Sequence, residues 1–217
     1  MERFWLVILN EMIEFFGKSD VGKVRKNNED FFLNKKIEKD EFLFIVADGM
    51  GGHQAGDIAS SLGTHTFAKT YKKLRLSGST IPQALKASLN AANGVILDKA
   101  TKEPDKKGMG TTFSALVIKG NRGHIIHIGD SRIYLIRNNK IDRLTTDHTF
   151  VEKMVEEGRL SEKEARVHPH RNILYFSLGA RESLTPQVLE NFTIESKDIF
   201  LMCSDGLNTM VEDSVIK

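Results

Sequence analysis

Cysteine is nearly absent from this 217-residue chain. Its one thiol, Cys203, lies in an apolar run and has no partner for an internal disulfide, which fits a reducing compartment. Proline is scarce too, at 4 residues, and no Pro-, Gly- or Ser-rich stretch marks a linker, so one large domain is expected rather than two small ones. No apolar run reaches membrane length. Phe4 to Leu9 is too short to span a bilayer and no small-residue cleavage site follows it, so neither a membrane anchor nor export is expected. Excess charge of one sign is also missing: Lys+Arg 31 against Asp+Glu 29 leave +2, and no aromatic-interleaved basic patch points to nucleic acid. What is present, 40% hydrophobic and 28% charged residues, is the composition of a globular protein of the cytoplasm.

The chain is organised around Phe42 to Asp57, FLFIVADGMGGHQAGD. Phe42 to Ala47 is an unbroken apolar run of strand length, read as a strand buried on both faces, and it ends in Asp48. Gly49, Gly51 and Gly52 follow, where missing Cβ atoms let backbone carbonyls approach a bound ion. Asp-Gly after a strand is also an ordinary turn signal. Two further strands tip the balance: His124 to Gly129 runs into Asp130, and Ile199 to Ser204 runs into Asp205. Three apolar strands each delivering a carboxylate at one end make a hard-cation site.

Strands are expected over Ile13 to Ser19 and Asp30 to Asn34, joined by a polar loop in which Arg25 suits an anion while Glu29 and Asp30 suit cations. Met12 makes a natural start, so residues 1–11 are expected to be an extension or a short surface helix. Ala55 to Leu76 has helical spacing, and a second helix is signalled by Ser79 or Thr80 as N-cap with Pro82 in the first turn. Short strands then follow closely, with Asn138-Asn139 as a hairpin turn. Two helices inserted as a pair among strands predict α+β with layered antiparallel sheets. Residues 145–182 carry two short helices but too few apolar positions for a core, so they are expected to lie over the main body as a flap. His148, His168 and His170 have no zinc-site spacing and are assigned capping and hydrogen-bonding roles. Asn208 to Lys217 reads as the opening of a helix.

Five ordered segments carry a resemblance: Ser19 to Asp30 with Arg25 and the Glu29-Asp30 pair, Ala47 to His53, Gly108 to Thr112, His127 to Arg132, and Cys203 to Leu207. Together they resemble the bacterial metal-dependent (PPM, type 2C) serine/threonine protein phosphatases, and Thr146 to Arg171 resembles that family's flap. The resemblance covers about residues 13–215 and is far more specific than a lone glycine loop. It implies a four-layer α-β-β-α sandwich with a small helical flap, and domain limits of 12–217 after an extension over 1–11. It implies two manganese or magnesium ions, with Asp48 bridging both, the Gly49 carbonyl on one and Asp205 on the other. Glu29 holds metal-bound water in this scheme, Asp130 with Asp205 supplies a weaker third ion, and Arg25 orients the substrate phosphate.

The implied chemistry is hydrolysis of phosphoserine and phosphothreonine by a hydroxide bridging ions about 3.5–4 Å apart, with no covalent enzyme intermediate. Either His53 or a metal-bound water is the candidate proton donor to the leaving alkoxide. The implied partners are phosphoproteins made by bacterial serine/threonine kinases, with no nucleic acid or membrane, and the implied state is a monomer if the domain is complete. A cysteine-dependent mechanism lacks its arginine, since the sixth residue after Cys203 is Thr209. A P-loop lacks its Lys-Ser/Thr ending, and a haloacid-dehalogenase-type site lacks its second aspartate, because position 50 is Met.

The family continues past the position of Lys217 through a helix, a Gly-rich loop with an Asp-Asn pair whose Asp is a metal ligand, and a final strand. Asp213 does not fit that role. The expected consequences are weaker binding of the first ion, lower activity, and sheet groups left open to association. The alternative reading is therefore a non-catalytic phosphoprotein-binding module or an inactive fragment of such a phosphatase.

Overall fold

The computed structural model describes residues 3–9, 12–51 and 55–216. The candidate proton donor His53 lies outside the described residues. In chain order the strands and helices are β1 Arg3–Leu9, β2 Met12–Lys18, β3 Asp30–Glu38, β4 Glu41–Met50, α1 Ala55–Leu76, α2 Ile81–Lys102, β5 Gly110–Thr111, β6 Phe113–Lys119, β7 Arg122–Ile128, β8 Arg132–Arg137, β9 Lys140–Arg143, α3 Phe150–Glu156, α4 Glu162–Val167, β10 Gln187–Thr193, β11 Ile199–Cys203, α5 Asp205–Asn208 and α6 Asp213–Ile216. One sheet runs β2-β1-β11-β8-β9 and the other β10-β7-β6-β4-β3, with β5 paired to β4, and every strand pairing is antiparallel.

The period-2 alternation of β4 explains how one strand serves two cores. Phe44 and Val46 face the second sheet and pack with Leu116, Ile133, Phe200 and Met202. Leu43, Ile45 and Ala47 face the other way and meet Phe67, Tyr71, Leu85 and Ile96 of α1 and α2. A smaller cluster of Tyr134, Leu201, Cys203 and Leu207 covers the outer face of the five-stranded sheet beneath α5 and α6. The layers are thus helix, sheet, sheet, helix, as expected.

Local signals match their elements. Thr80 caps α2 through a reciprocal box with Gln83, and Ser161 caps α4 through the same box with Glu164. Asn138 and Asn139 both take positive φ, at 50° and 61°, as a tight hairpin between β8 and β9 requires.

Two expectations need correction. Residues 3–9 form not a surface helix but β1, hydrogen-bonded to β2 on one side and β11 on the other. β11 is flanked by β1 and β8. The helix expected over 208–217 begins earlier and is broken, with α5 starting at Asp205 and α6 at Asp213.

Candidate active site

The site begins with a register. Antiparallel pairing places Asp30 of β3 directly opposite Asp48 of β4, so the two carboxylates emerge side by side on one face at the end of the sheet. Like charges so placed repel. Asp205, the first residue of α5, and Asp130, in the turn after β7, complete the group from the other elements. The Asp30 and Asp205 carboxyls both act on Asp48, and Ser204 Oγ donates to Asp30 Oδ2 at 2.9 Å.

The electrostatics record this crowding. Burial, then the charges of Asp30, Asp205 and Asp130, push Asp48 up to about 10. Burial, then Asp205 and Asp147, push Asp130 up to about 7. Asp30 is raised by burial, which outweighs the opposing hydrogen bonds from Ser204 and with Asp48. Asp205 is raised by burial against the opposing hydrogen bond with Asp48 and the charges of Arg25 and Arg171. Four carboxylates that cannot all ionise side by side are strongly favoured to do so around divalent cations.

Asp48 is held rigidly by the Gly-Thr-Thr segment. Its N–H donates to Thr112 Oγ1 at 2.8 Å, while its carbonyl accepts from Thr112 N–H and from Thr111 Oγ1, each at 2.9 Å. The next residue explains a glycine. A Cβ on Gly49 would lie 2.0 Å from the Gly56 carbonyl oxygen and 2.6 Å from that of Glu29, both backbone atoms. Gly49 N–H donates to the Glu29 carbonyl at 3.1 Å, and Ser60 Oγ of α1 donates to the same oxygen at 2.6 Å. The start of α1, the end of β4 and the Glu29 peptide are thereby locked together, with the Glu29 carboxyl lying against Gly56.

The flap is tied to the same strand ends. Arg132 grips Asp147 with two charge-assisted hydrogen bonds, Nε to Oδ1 at 2.9 Å and Nη2 to Oδ2 at 2.6 Å. Thr149 caps α3, and its neighbour His148 reaches back to Gly129, one residue before Asp130. Between flap and body lies a cleft of about 310 Å³, with Asp130 and Asp205 on one side and Arg166 and Arg171 on the other.

Of the residues singled out in the sequence, Asp48, Asp130 and Asp205 meet in one cluster, Gly49 and Glu29 adjoin it, and Arg25 stands on an exposed loop whose charge acts on Asp205. Asp30 belongs with them, although the sequence alone marks it as a cation-facing loop residue and not as one of the metal ligands. Its signal was available, since an acid at the first position of a strand pairs with the acid at the end of the next. His168 and His170 bind each other locally, the His170 N–H donating to His168 Nδ1 at 3.1 Å. Cys203 is fully buried and its thiol is pushed up to about 12 by burial, an inert state. Among the described residues no group of three or more His, Cys, Asp or Glu side chains is placed closely enough to hold a metal ion as it stands. The donor set is nonetheless all oxygen, the set that hard cations such as manganese and magnesium take.

Residues 22–215 match the family model described as protein phosphatase 2C. The chain is 38% identical over 205 residues to the serine/threonine protein phosphatase PstP of Mycobacterium tuberculosis, covering 94% of this chain and 38% of that protein. It is 35% identical to the serine/threonine phosphatase stp of Listeria welshimeri, covering 91% of this chain and 79% of that one. Among solved structures, the catalytic domain of PstP in complex with two manganese ions superposes with a TM-score of 0.81 at 34% identity, over 98% of this chain and 83% of that one. The chain therefore spans well under half the length of its mycobacterial relative and about four-fifths of the Listeria one.

Proposed function

This chain belongs to the protein phosphatase 2C family, and from that premise we propose that it hydrolyses phosphoserine and phosphothreonine in proteins phosphorylated by serine/threonine kinases. The observation that carries the reading is the meeting of Asp30, Asp48, Asp130 and Asp205 at strand ends beside the Gly49 peptide. These residues, with the Gly49 carbonyl and Glu29, are assigned to hold two manganese or magnesium ions, with Asp130 and Asp205 facing a third. When bound, such ions neutralise phosphoryl oxygens and lower the pKa of water.

The chain's own groups do the rest. The Arg25 guanidinium offers the phosphate a planar pair of donors from the exposed loop. The Thr111-Thr112 clamp keeps Asp48 from shifting as charge develops, which is positioning of the kind that carries phosphoryl transfer. The bond from phosphorus to the serine or threonine oxygen breaks as one to a water oxygen forms, and the leaving oxygen takes a proton. His53 is the candidate donor of that proton. Cys203 takes no part, being buried and protonated.

The test is phosphate release from a phosphothreonine peptide with manganese, run beside chelator and the Asp48→Asn variant. Release abolished by both controls supports the assignment. Tight peptide binding without release would replace it with a phosphoprotein-binding module.

A further inference from the structure

A second charged feature lies at the far end of α1. Lys69, Lys72 and Lys73, with Leu76, follow the spacing that puts residues on one helical face, and Lys35 of the edge strand β3 projects toward the same place. Lys35 lies on the α1 side of its sheet, as its alternation with Leu33, which packs against the α1 core, requires. With Ser77 these residues line an open groove of about 490 Å³, in which Leu76 is 61% exposed.

The charge here is uncompensated. Among the described residues, none of Lys35, Lys69, Lys72 and Lys73 is within ion-pair distance of a carboxylate. The adjoining helix is built differently: on α2, Lys99 pairs with Glu103 at 2.6 Å, Lys102 with Asp98 at 2.8 Å, and Lys86 with Glu190 at 3.6 Å. The helix dipole accounts for a base in the last turn, such as Lys73, but not for Lys69 or Lys72. Like charges at these spacings repel, so the arrangement costs the free protein stability that an anionic occupant would return.

We propose that this groove is a docking site for an acidic, extended segment of the phosphoprotein substrate, separate from the site that takes the phosphate. The proposal rests on the phosphatase reading for its substrate. The two ends of α1 set the geometry: its first turn meets Gly49 beside Asp48, and the 14 to 18 residues from Ala55 to Lys69–Lys73, at about 1.5 Å each, place the lysines about 21–27 Å away. An extended chain covers that in about 6–8 residues. Aspartates and glutamates at that remove from the phosphorylated residue therefore raise the local concentration of substrate without touching the chemistry.

The experiment compares phosphothreonine peptides with and without a run of glutamates at that spacing, on either side, against a run of glutamines. With the protein as it stands, the acidic run on at least one side is expected to lower KM about 5–10-fold with kcat unchanged, an effect lost at about 0.5 M salt. The Lys69→Glu, Lys72→Glu, Lys73→Glu variant should turn over the untailed peptide normally and lose the gain from the tail. The corresponding triple glutamine variant keeps the test valid if charge reversal disturbs the helix. Anisotropy of an unphosphorylated, fluorescent acidic peptide reads the groove without turnover, whereas failure of the untailed peptide to be hydrolysed speaks only to the phosphatase reading. Equal KM values with no anisotropy change, or a tail effect that survives in both variants, would overturn the proposal. So would lysine-dependent binding to anionic vesicles with no effect of the peptide tail, which would assign the face to lipid.

Discussion

His148 and Gly129 hold each other twice: the His148 N–H donates to the Gly129 carbonyl at 2.7 Å, and the Gly129 N–H donates to His148 Nδ1 at 3.1 Å. The same histidine's carbonyl accepts from Tyr175 N–H at 3.0 Å, and its ring packs against both Tyr175 and Phe176. One residue of the flap thus fixes the peptide that delivers Asp130. Because Nδ1 must accept, the ring is neutral, and burial indeed lowers its affinity for a proton. His148→Ala is expected to weaken manganese binding at the Asp130 side by about 10–100-fold, the usual cost of losing a group that supports a ligand. Calorimetric titration of manganese into the purified variant checks this, and an unchanged isotherm would contradict it.

The aspartate cluster should trade stability for chemistry. In chelator, Asp48 and Asp130 have pKa values of about 10 and about 7, both raised by burial first. A raised carboxyl binds its proton more tightly in the folded state, so its contribution is fully present below the unfolded value and is lost as pH rises through the folded one. Above about pH 6.5, where the buried histidines no longer titrate, chelated protein is therefore expected to lose thermal stability as pH rises toward about 10. Asp48→Asn should raise Tm in chelator at pH 8 while lowering activity by more than the about 10–100-fold typical of merely supporting residues. A fall in Tm on that substitution would show that the carboxylates do not repel as placed.

Two glycines give opposite expectations for the same methyl group. At Gly49 an added Cβ meets backbone at 2.0 Å, and Gly49→Ala should cost at least about 1–3 kcal/mol, with activity falling as the Glu29 and α1 ends part. Gly94 is an exposed position inside α2 with nothing within 4 Å of its would-be Cβ. Gly94→Ala should stabilise by about 0.5–1 kcal/mol through helix propensity alone. Urea unfolding of both variants separates close approach from backbone freedom.

The fold was legible wherever the signal is local. Ser79 or Thr80 before Pro82, the Asn138-Asn139 turn and the unbroken apolar run of β4 each predict their element from a few adjacent residues. The acids at strand ends were legible as a set because each closes an apolar run. Membership of Asp30 in the cluster was not, because it depends on which residue of β4 stands opposite it, and register belongs to the sheet rather than to either strand. The position of β1 between β2 and β11 was hidden for the same reason. The His148 and Gly129 pair joins residues 19 apart through backbone groups that every residue type carries, so no side-chain pattern marks it. The lysine groove was invisible because Lys35 and α1 come together only in the folded sheet.

His127 supplies the clearest acid-side expectation. It is fully buried between the sheet and the flap, with Nε2 3.1 Å from the Thr146 carbonyl and Nδ1 2.8 Å from Ser114 Oγ. A carbonyl can only accept, so Nε2 carries the proton, while the single Ser114 hydroxyl proton is contested between His127 Nδ1 and the Ser131 carbonyl 3.0 Å away. Burial, reinforced by His148, depresses its pKa to about 3. The unfolded chain binds a proton there near pH 6.5 and the folded chain does not, so stability is present above that value and is lost as pH falls toward 3, at about 1.4 kcal/mol per pH unit. His127→Gln keeps one donor and one acceptor but cannot titrate. The variant should therefore lose less stability than the parent between pH 6.5 and pH 4. Parallel slopes for the two proteins in urea titrations across that range would mean that His127 is protonated in the folded state, and that the hydrogen bonds to Ser114 and Thr146 are arranged with both ring nitrogens as donors.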